Sequence, residues 1–154
     1  MKLLLEVIDF FGGIVSRRQL LAQGVDPGSI EIAAWYGRHV KRVRHGWYSR
    51  ADESLEVVRA WRVGGRLTCV SALAYHAGEA TGPVLHVEVA ANRCQLRDPD
   101  DGRKRLGPNV PVVVHWTRHP GPGTARAVEV GHAEAVAAAC GTHGASVSRA
   151  GGAA

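Results

Sequence analysis

Seven basic side chains crowd into a short stretch of this 154-residue sequence: Arg17, Arg18, Arg38, Lys41, Arg42, Arg44 and Arg50. Between Ser16 and Arg50 only Asp26 and Glu31 oppose them. The other 119 residues balance at 12 basic and 12 acidic, so this segment holds the whole formal net charge of +5. Cations concentrated in this way neutralise phosphate, and double-stranded DNA is the first partner they imply. Lys41, Arg42, Arg44 and His45 fall within five consecutive positions, a density suited to lying along a phosphate backbone or entering a minor groove.

Other chemistries find less material. A metal-dependent nuclease needs two or three converging carboxylates and a lysine. Glu88 is the one internal carboxylate on an expected strand, and no lysine follows it at that spacing. Asp98, Asp100 and Asp101 stand beside Arg103, Lys104 and Arg105 in a turn-like stretch and read as a solvated loop. Cys69, Cys94 and Cys140 lie 25 and 46 residues apart, with no zinc-type spacing to one another or to the eight histidines. His86 and His115 face each other if their strands pair, and without a carboxylate or cysteine set beside them they read as structural. No phosphate loop, dinucleotide-binding, HExxH or nucleophile-elbow pattern is present. The expectation is a protein that is not an enzyme and uses no cofactor or metal.

The elements that must position the cations follow from periodicity and punctuation. Lys2–Phe11 has helical spacing and stops at Gly12-Gly13. Ser16 is a cap for a helix over Arg17–Gln23, and Ser29 for a second over Ile30–Gly37, with Ala34 and Tyr36 among its packed residues. Two short helices joined by a Gly-containing turn have the spacing of a helix-turn-helix, whose second helix enters the major groove. Val40–Ser49 reads as a β-hairpin turning at Gly46. Three helices and a basic hairpin predict a winged helix over residues 1–50.

Beyond it, Asp52–Arg62 is an amphipathic helix with Leu55, Val58 and Trp61 on one stripe, and Cys69–Ala77 is a second, largely apolar one. Leu85–Val89 and Val110–Trp116 are strands. The fold class expected is therefore α+β, an N-terminal winged helix-turn-helix followed by a small α/β module over 51–118. Residues 119–154 are expected to form a partly helical, flexible tail. Apolar residues at 45% and charged residues at 21% fit a globular chain. Glu6 and Asp9 interrupt the opening leucines before a signal peptide forms, and no apolar run approaches the ~20 residues of a membrane span. A cytoplasmic setting with no membrane partner is expected.

Several stretches together resemble a known family. Gly13-Ile14-Val15-Ser16-Arg17-Arg18-Gln19-Leu20-Leu21-Ala22-Gln23-Gly24-Val25 is similar to the opening of the AbiEi-type antitoxin N-terminal domain, and Val43-Arg44-His45-Gly46-Trp47-Tyr48 to its wing. The stretch from Gly64 to Leu73 resembles the helix that follows, and Leu85–Val89 the first strand after it. The likeness covers about residues 5 to 118. It implies a winged helix that binds DNA, usually in transcriptional autoregulation. Many relatives continue into a Vsr-like nuclease or a longer antitoxin domain, for which no room is expected after His119. Relatives also carry several arginines in the recognition helix, where this chain has Ile32-Ala33-Ala34-Trp35-Tyr36.

The function expected is a sequence-specific DNA-binding transcriptional regulator, a repressor of bacterial or phage type. Ser16, Arg17 and Arg18 would position phosphates. Ser29, Glu31, Trp35 and Arg38 would face bases, and Lys41, Arg42, Arg44 and His45 would hold the backbone or minor groove. Arg93, Arg97, Arg103, Lys104 and Arg105 would make a second contact with DNA or with a protein. The alternative is an antitoxin-like protein-interaction module with weak DNA affinity.

Overall fold

A computed structural model describes residues 1–142. The fold is mixed α+β, with six helices and two three-stranded sheets among the described residues. Residues 143–154, the end of the expected tail, lie outside them.

The first half builds around one small sheet. Helix α1 (Lys2–Phe10) buries Leu4, Val7 and Ile8 and ends at Gly12 and Gly13, both at positive φ. Strand β1 (Ile14–Ser16) follows, then α2 (Arg17–Ala22) and α3 (Pro27–Tyr36). Strands β2 (Val40–Arg44) and β3 (Trp47–Arg50) make the expected hairpin, turning at Gly46 with φ +75°. The sheet order is β1-β3-β2, all antiparallel. The sequence reading has no β1, because three residues are too few to show a period of two.

One start differs from expectation. Helix α3 begins a turn earlier, where Asp26 accepts a hydrogen bond from the Ser29 N–H at 2.9 Å and Pro27 takes the first helical position. Asp26, and not Ser29, is therefore the cap, because proline preorganises the first turn and lacks the N–H that would go unpaired there.

The two faces of this sheet enter different cores. Leu4, Ile8, Val15, Leu20, Ile30, Val40 and Tyr48 form the first. Ile14 and Val43, from the opposite face, join the second together with half-buried Trp47. Successive strand residues point to opposite sides, so a single strand feeds both.

Helix α4 (Leu55–Val63) buries Val57, Val58, Ala60 and Val63, and leaves Leu55 61% exposed, off the stripe expected for it. Trp61 remains half-buried, stacking near Trp47 at 4.7 Å and donating to the Ala125 carbonyl at 2.7 Å. Strand β4 (Arg66–Leu67) leads into α5 (Cys69–His76). Strands β5 (Leu85–Ala90) and β6 (Val112–Thr117) complete a sheet ordered β4-β5-β6.

The β5–β6 pair is parallel. Parallel neighbours cannot be joined by a tight turn. Residues 91–111 therefore cross from one end of the sheet to the other, and this crossover carries all five cations of the expected second contact.

Three residues of the expected tail join the second core. Ala127, Val128 and Ala133 are buried, and the Val128 N–H donates to the Leu67 carbonyl at 3.0 Å. Helix α6 (Val130–Thr142) packs against α5. Small side chains do this packing, which is why a reading based on large apolar residues misses it. No helix among the described residues is long and apolar enough to cross a membrane.

Candidate nucleic-acid interface

The basic segment divides into anchored and exposed cations. The Lys41 ammonium donates to the carbonyls of Ala51 and Glu53, each at 3.2 Å, and burial pushes its pKa below the usual lysine value. Arg44 is committed further. Its Nη1 lies 3.4 and 3.3 Å from the carbonyls of Arg62 and Val63, at the C-terminus of α4. Its Nη2 donates to the Gln95 carbonyl at 2.7 Å. Burial, followed by repulsion from Arg93 and Arg97, lowers its pKa. Both side chains, expected along phosphate or in a minor groove, tie the hairpin to the rest of the molecule.

The start of α2 is also occupied. The Ser16 hydroxyl accepts from the Gln19 N–H at 3.1 Å, and Gln19 Oε1 accepts from the Ser16 N–H at 2.9 Å. The Arg17 N–H donates to the Gly46 carbonyl at 2.8 Å. This capping box and the hairpin turn consume donors expected to face phosphate.

Glu31 is the pivot of the exposed set. It accepts from Arg17 Nη1, and Arg42 Nη2 lies 3.6 Å from its other oxygen. Expected as a base reader, the carboxylate instead joins α2, α3 and β2. Arg42 also stands over the Tyr48 ring at 6.0 Å. Arg18, Trp35, Tyr36, Arg38 and His45 are exposed, and Ser29 is half-buried. On α3 the outward residues Ile32, Trp35 and Tyr36 form an apolar ridge, Trp35 being 86% exposed. Tyr36 was expected to pack, but it lies four residues after exposed Ile32, on the same outward face of α3, and is itself exposed.

The hairpin and the crossover meet. A cleft of about 520 Å³ is lined by Arg42, Arg44, His45 and Arg62 on one side and by Arg97, Asp100, Asp101 and Arg103 on the other. Five arginines against two aspartates make it electropositive. Gly102 lets the crossover approach β2, since a Cβ there would lie 3.0 Å from the Val43 carbonyl oxygen. Arg97 reaches the Arg103 carbonyl at 3.4 Å and Gln95 Oε1 at 2.9 Å. Arg93 sits over Trp47 at 5.7 Å, while Arg103, Lys104 and Arg105 are exposed. Nothing local in the sequence shows that two basic clusters 50 residues apart share one cleft.

Glu88, considered above as a nuclease carboxylate, is committed to an ion pair. Arg66 Nε donates to it at 2.7 Å, the two side chains being 12% and 9% exposed, and the Gly121 N–H donates to its other oxygen at 3.3 Å. His86 Nδ1 does meet His115 Nε2, at 3.0 Å. Burial lowers both imidazole pKa values, and for His115 burial with the neighbouring His86 pushes it down to about 4. The cysteine set absent from their sequence neighbourhood is supplied by the fold. Donor atoms of Cys69, His86, His115 and Cys140 all lie within 4.8 Å of one another.

No protein-family model matches this chain, and comparison with curated proteins finds no match.

Proposed function

We propose that this chain is a sequence-specific DNA-binding transcriptional regulator, a repressor in which residues 1–50 act as a winged helix. One observation carries the reading: Arg42 touches Glu31 on α3 and also lines the electropositive cleft. Helix α3, the hairpin and the crossover thus present one continuous surface to a duplex. The order of three helices, then a hairpin closed into a sheet by β1, supports the winged-helix reading.

On this reading Arg18, Arg42, His45, Arg97, Arg103, Lys104 and Arg105 face the phosphate backbone. Trp35 and Arg38 are the side chains of the α3 region left to face base edges or methyl groups. Lys41 and Arg44 act as positioning residues that fix the hairpin against α4. Catalysis has no part in the proposal.

The experiment is selection of bound duplexes from a random pool, followed by footprinting. An enriched motif protected over at least one helical turn supports the reading. A pool without enrichment, with no protection, rejects it.

A second reading is favoured by the apolar ridge of Ile32, Trp35 and Tyr36, which also fits a protein partner. An antitoxin-like interaction module with weak DNA affinity would keep its partner through a high-salt wash and lose it in Trp35→Ala. A DNA complex at this surface would dissociate in that wash.

A further inference from the structure

Four elements that share no sequence motif deliver four metal-binding side chains to one place. Cys69 opens α5, His86 lies on β5, His115 on β6, and Cys140 in the last turn of α6. In the β5–β6 register His86 opposes Val113 and His115 opposes Glu88, so the two histidines sit diagonally on the same face of the sheet. The opposite face carries Leu85, Val87, Val89, Val112 and Val114 into the second core. Helices α5 and α6 bring the two thiols to the histidine face. We infer that Cys69, His86, His115 and Cys140 form a structural Zn(II) site.

The spacing fits one ion. Zn–N bonds near 2.0–2.1 Å and Zn–S bonds near 2.3 Å place tetrahedral donors ~3.3–3.8 Å apart. His86 Nδ1 and His115 Nε2 are 3.0 Å apart, and no donor pair exceeds 4.8 Å. Closing the set on an ion thus takes side-chain shifts of about an ångström or less. A cluster of two or more metals would hold its donors farther apart.

The ligand chemistry fits as well. Two thiolates and two neutral imidazoles form a Cys₂His₂ set, and two thiolate charges balance a divalent cation in a buried place. Four protein ligands leave no open position, which is the mark of a structural site and not a catalytic one. Cys69 and His86 are buried, while His115 and Cys140 are half-buried and leave an approach for the ion.

Two features of the surroundings gain a reason. Cys69 is the one non-glycine among the described residues at positive φ, +53°. That conformation is unfavourable for an L-residue, and it persists where surrounding interactions over-determine it. Helix α6 has only Ala133 fully buried among its described residues, so packing alone holds it weakly. A metal clip through Cys140 fastens it to the sheet.

The test uses the full, untagged chain isolated in the presence of reductant. Metal content by mass spectrometry is expected to be one zinc per chain. Co(II) titrated into the metal-stripped chain is expected to give visible tetrahedral bands and thiolate-to-cobalt charge transfer. Cys140→Ser and Cys69→Ser should weaken Co(II) binding by more than ~100-fold, beyond what loss of an outer-shell partner does. Cys94→Ser, which removes the exposed cysteine outside the cluster, should leave it unchanged. The wild-type titration stands alone should a variant fail to fold. Zinc below a tenth of an equivalent with no cobalt spectrum overturns the site. So does a Cys69–Cys140 disulfide in the chain isolated under reductant.

Discussion

Replacing Arg44 by alanine separates a phosphate contact from a structural bolt. In this fold Arg44 makes three charge-assisted hydrogen bonds, to the Arg62, Val63 and Gln95 carbonyls. Each is worth ~1.5–3 kcal/mol. Two of the three are long, and the carbonyls freed by truncation regain some water, so the net loss should be ~2–4 kcal/mol. At about 2–4 °C per kcal/mol for a chain of this size, the thermal midpoint should fall by ~5–15 °C. Arg44→Lys should recover only part of this, since an ammonium lacks the fork that reaches α4 and the crossover together. Stability is read by thermal and urea unfolding, and duplex affinity by fluorescence anisotropy well below the midpoint. Affinity of the folded variant should change by less than about threefold, one lost phosphate contact being the most this geometry allows. An unchanged midpoint with a tenfold loss of affinity would refute the reasoning and restore Arg44 as a direct DNA contact.

Other outcomes follow from the same geometry. Glu31→Gln should release Arg17 and Arg42 and strengthen duplex binding by about two- to fivefold at low salt, with the gain fading as salt rises; anisotropy at two ionic strengths reads it. Gly65→Ala would drive a Cβ into the Glu88 carbonyl oxygen, within the β4–β5 pairing. It should cost ~3 kcal/mol or more, seen as a lower urea midpoint or as insoluble protein. Trp35→Ala should leave stability within ~0.5 kcal/mol, because the ring is exposed, yet reduce binding to duplex or to a protein partner. Arg50 pairs with Asp9 through two contacts of 2.6 Å, and this hydrogen bonding holds the Asp9 carboxyl below its usual value of 3.8. A depressed carboxyl stabilises the fold above the unfolded value and stops doing so as pH falls through the folded one. Asp9→Asn should therefore lower the urea midpoint at pH 7 and lose that difference near pH 2.

The hairpin is legible because Val40–Ser49 is rich in β-branched, aromatic and basic residues with Gly46 at its turn, and β5 because Leu85, Val87 and Val89 alternate with His86 and Glu88. Strands β1 and β4 are not, since two or three residues gain strand character only from the partner they meet. The start of α3 is legible in Asp26-Pro27, a cap and first-position proline that outweigh Ser29. Side-chain roles were less accessible. Lys41 and Arg44 look free in a basic run, and the carbonyls that hold them lie up to 51 residues away. The Cys69–His86–His115–Cys140 cluster has no spacing signal, because a parallel crossover and a C-terminal helix assemble it.

The salt dependence of duplex binding tests the assignment of this surface to DNA most directly. Lys41 and Arg44 are anchored and Arg17 is held by Glu31, and of the six arginines and lysines proposed to face the backbone about four would meet phosphate at once. At a slope of about −0.9 per contact, log affinity should fall against log salt with a slope of −3 to −4. In Arg42→Ala/Arg103→Ala the slope should move toward zero by about 1.8. Binding that ignores salt, or a double variant with the wild-type slope, would contradict the assignment of this surface to DNA.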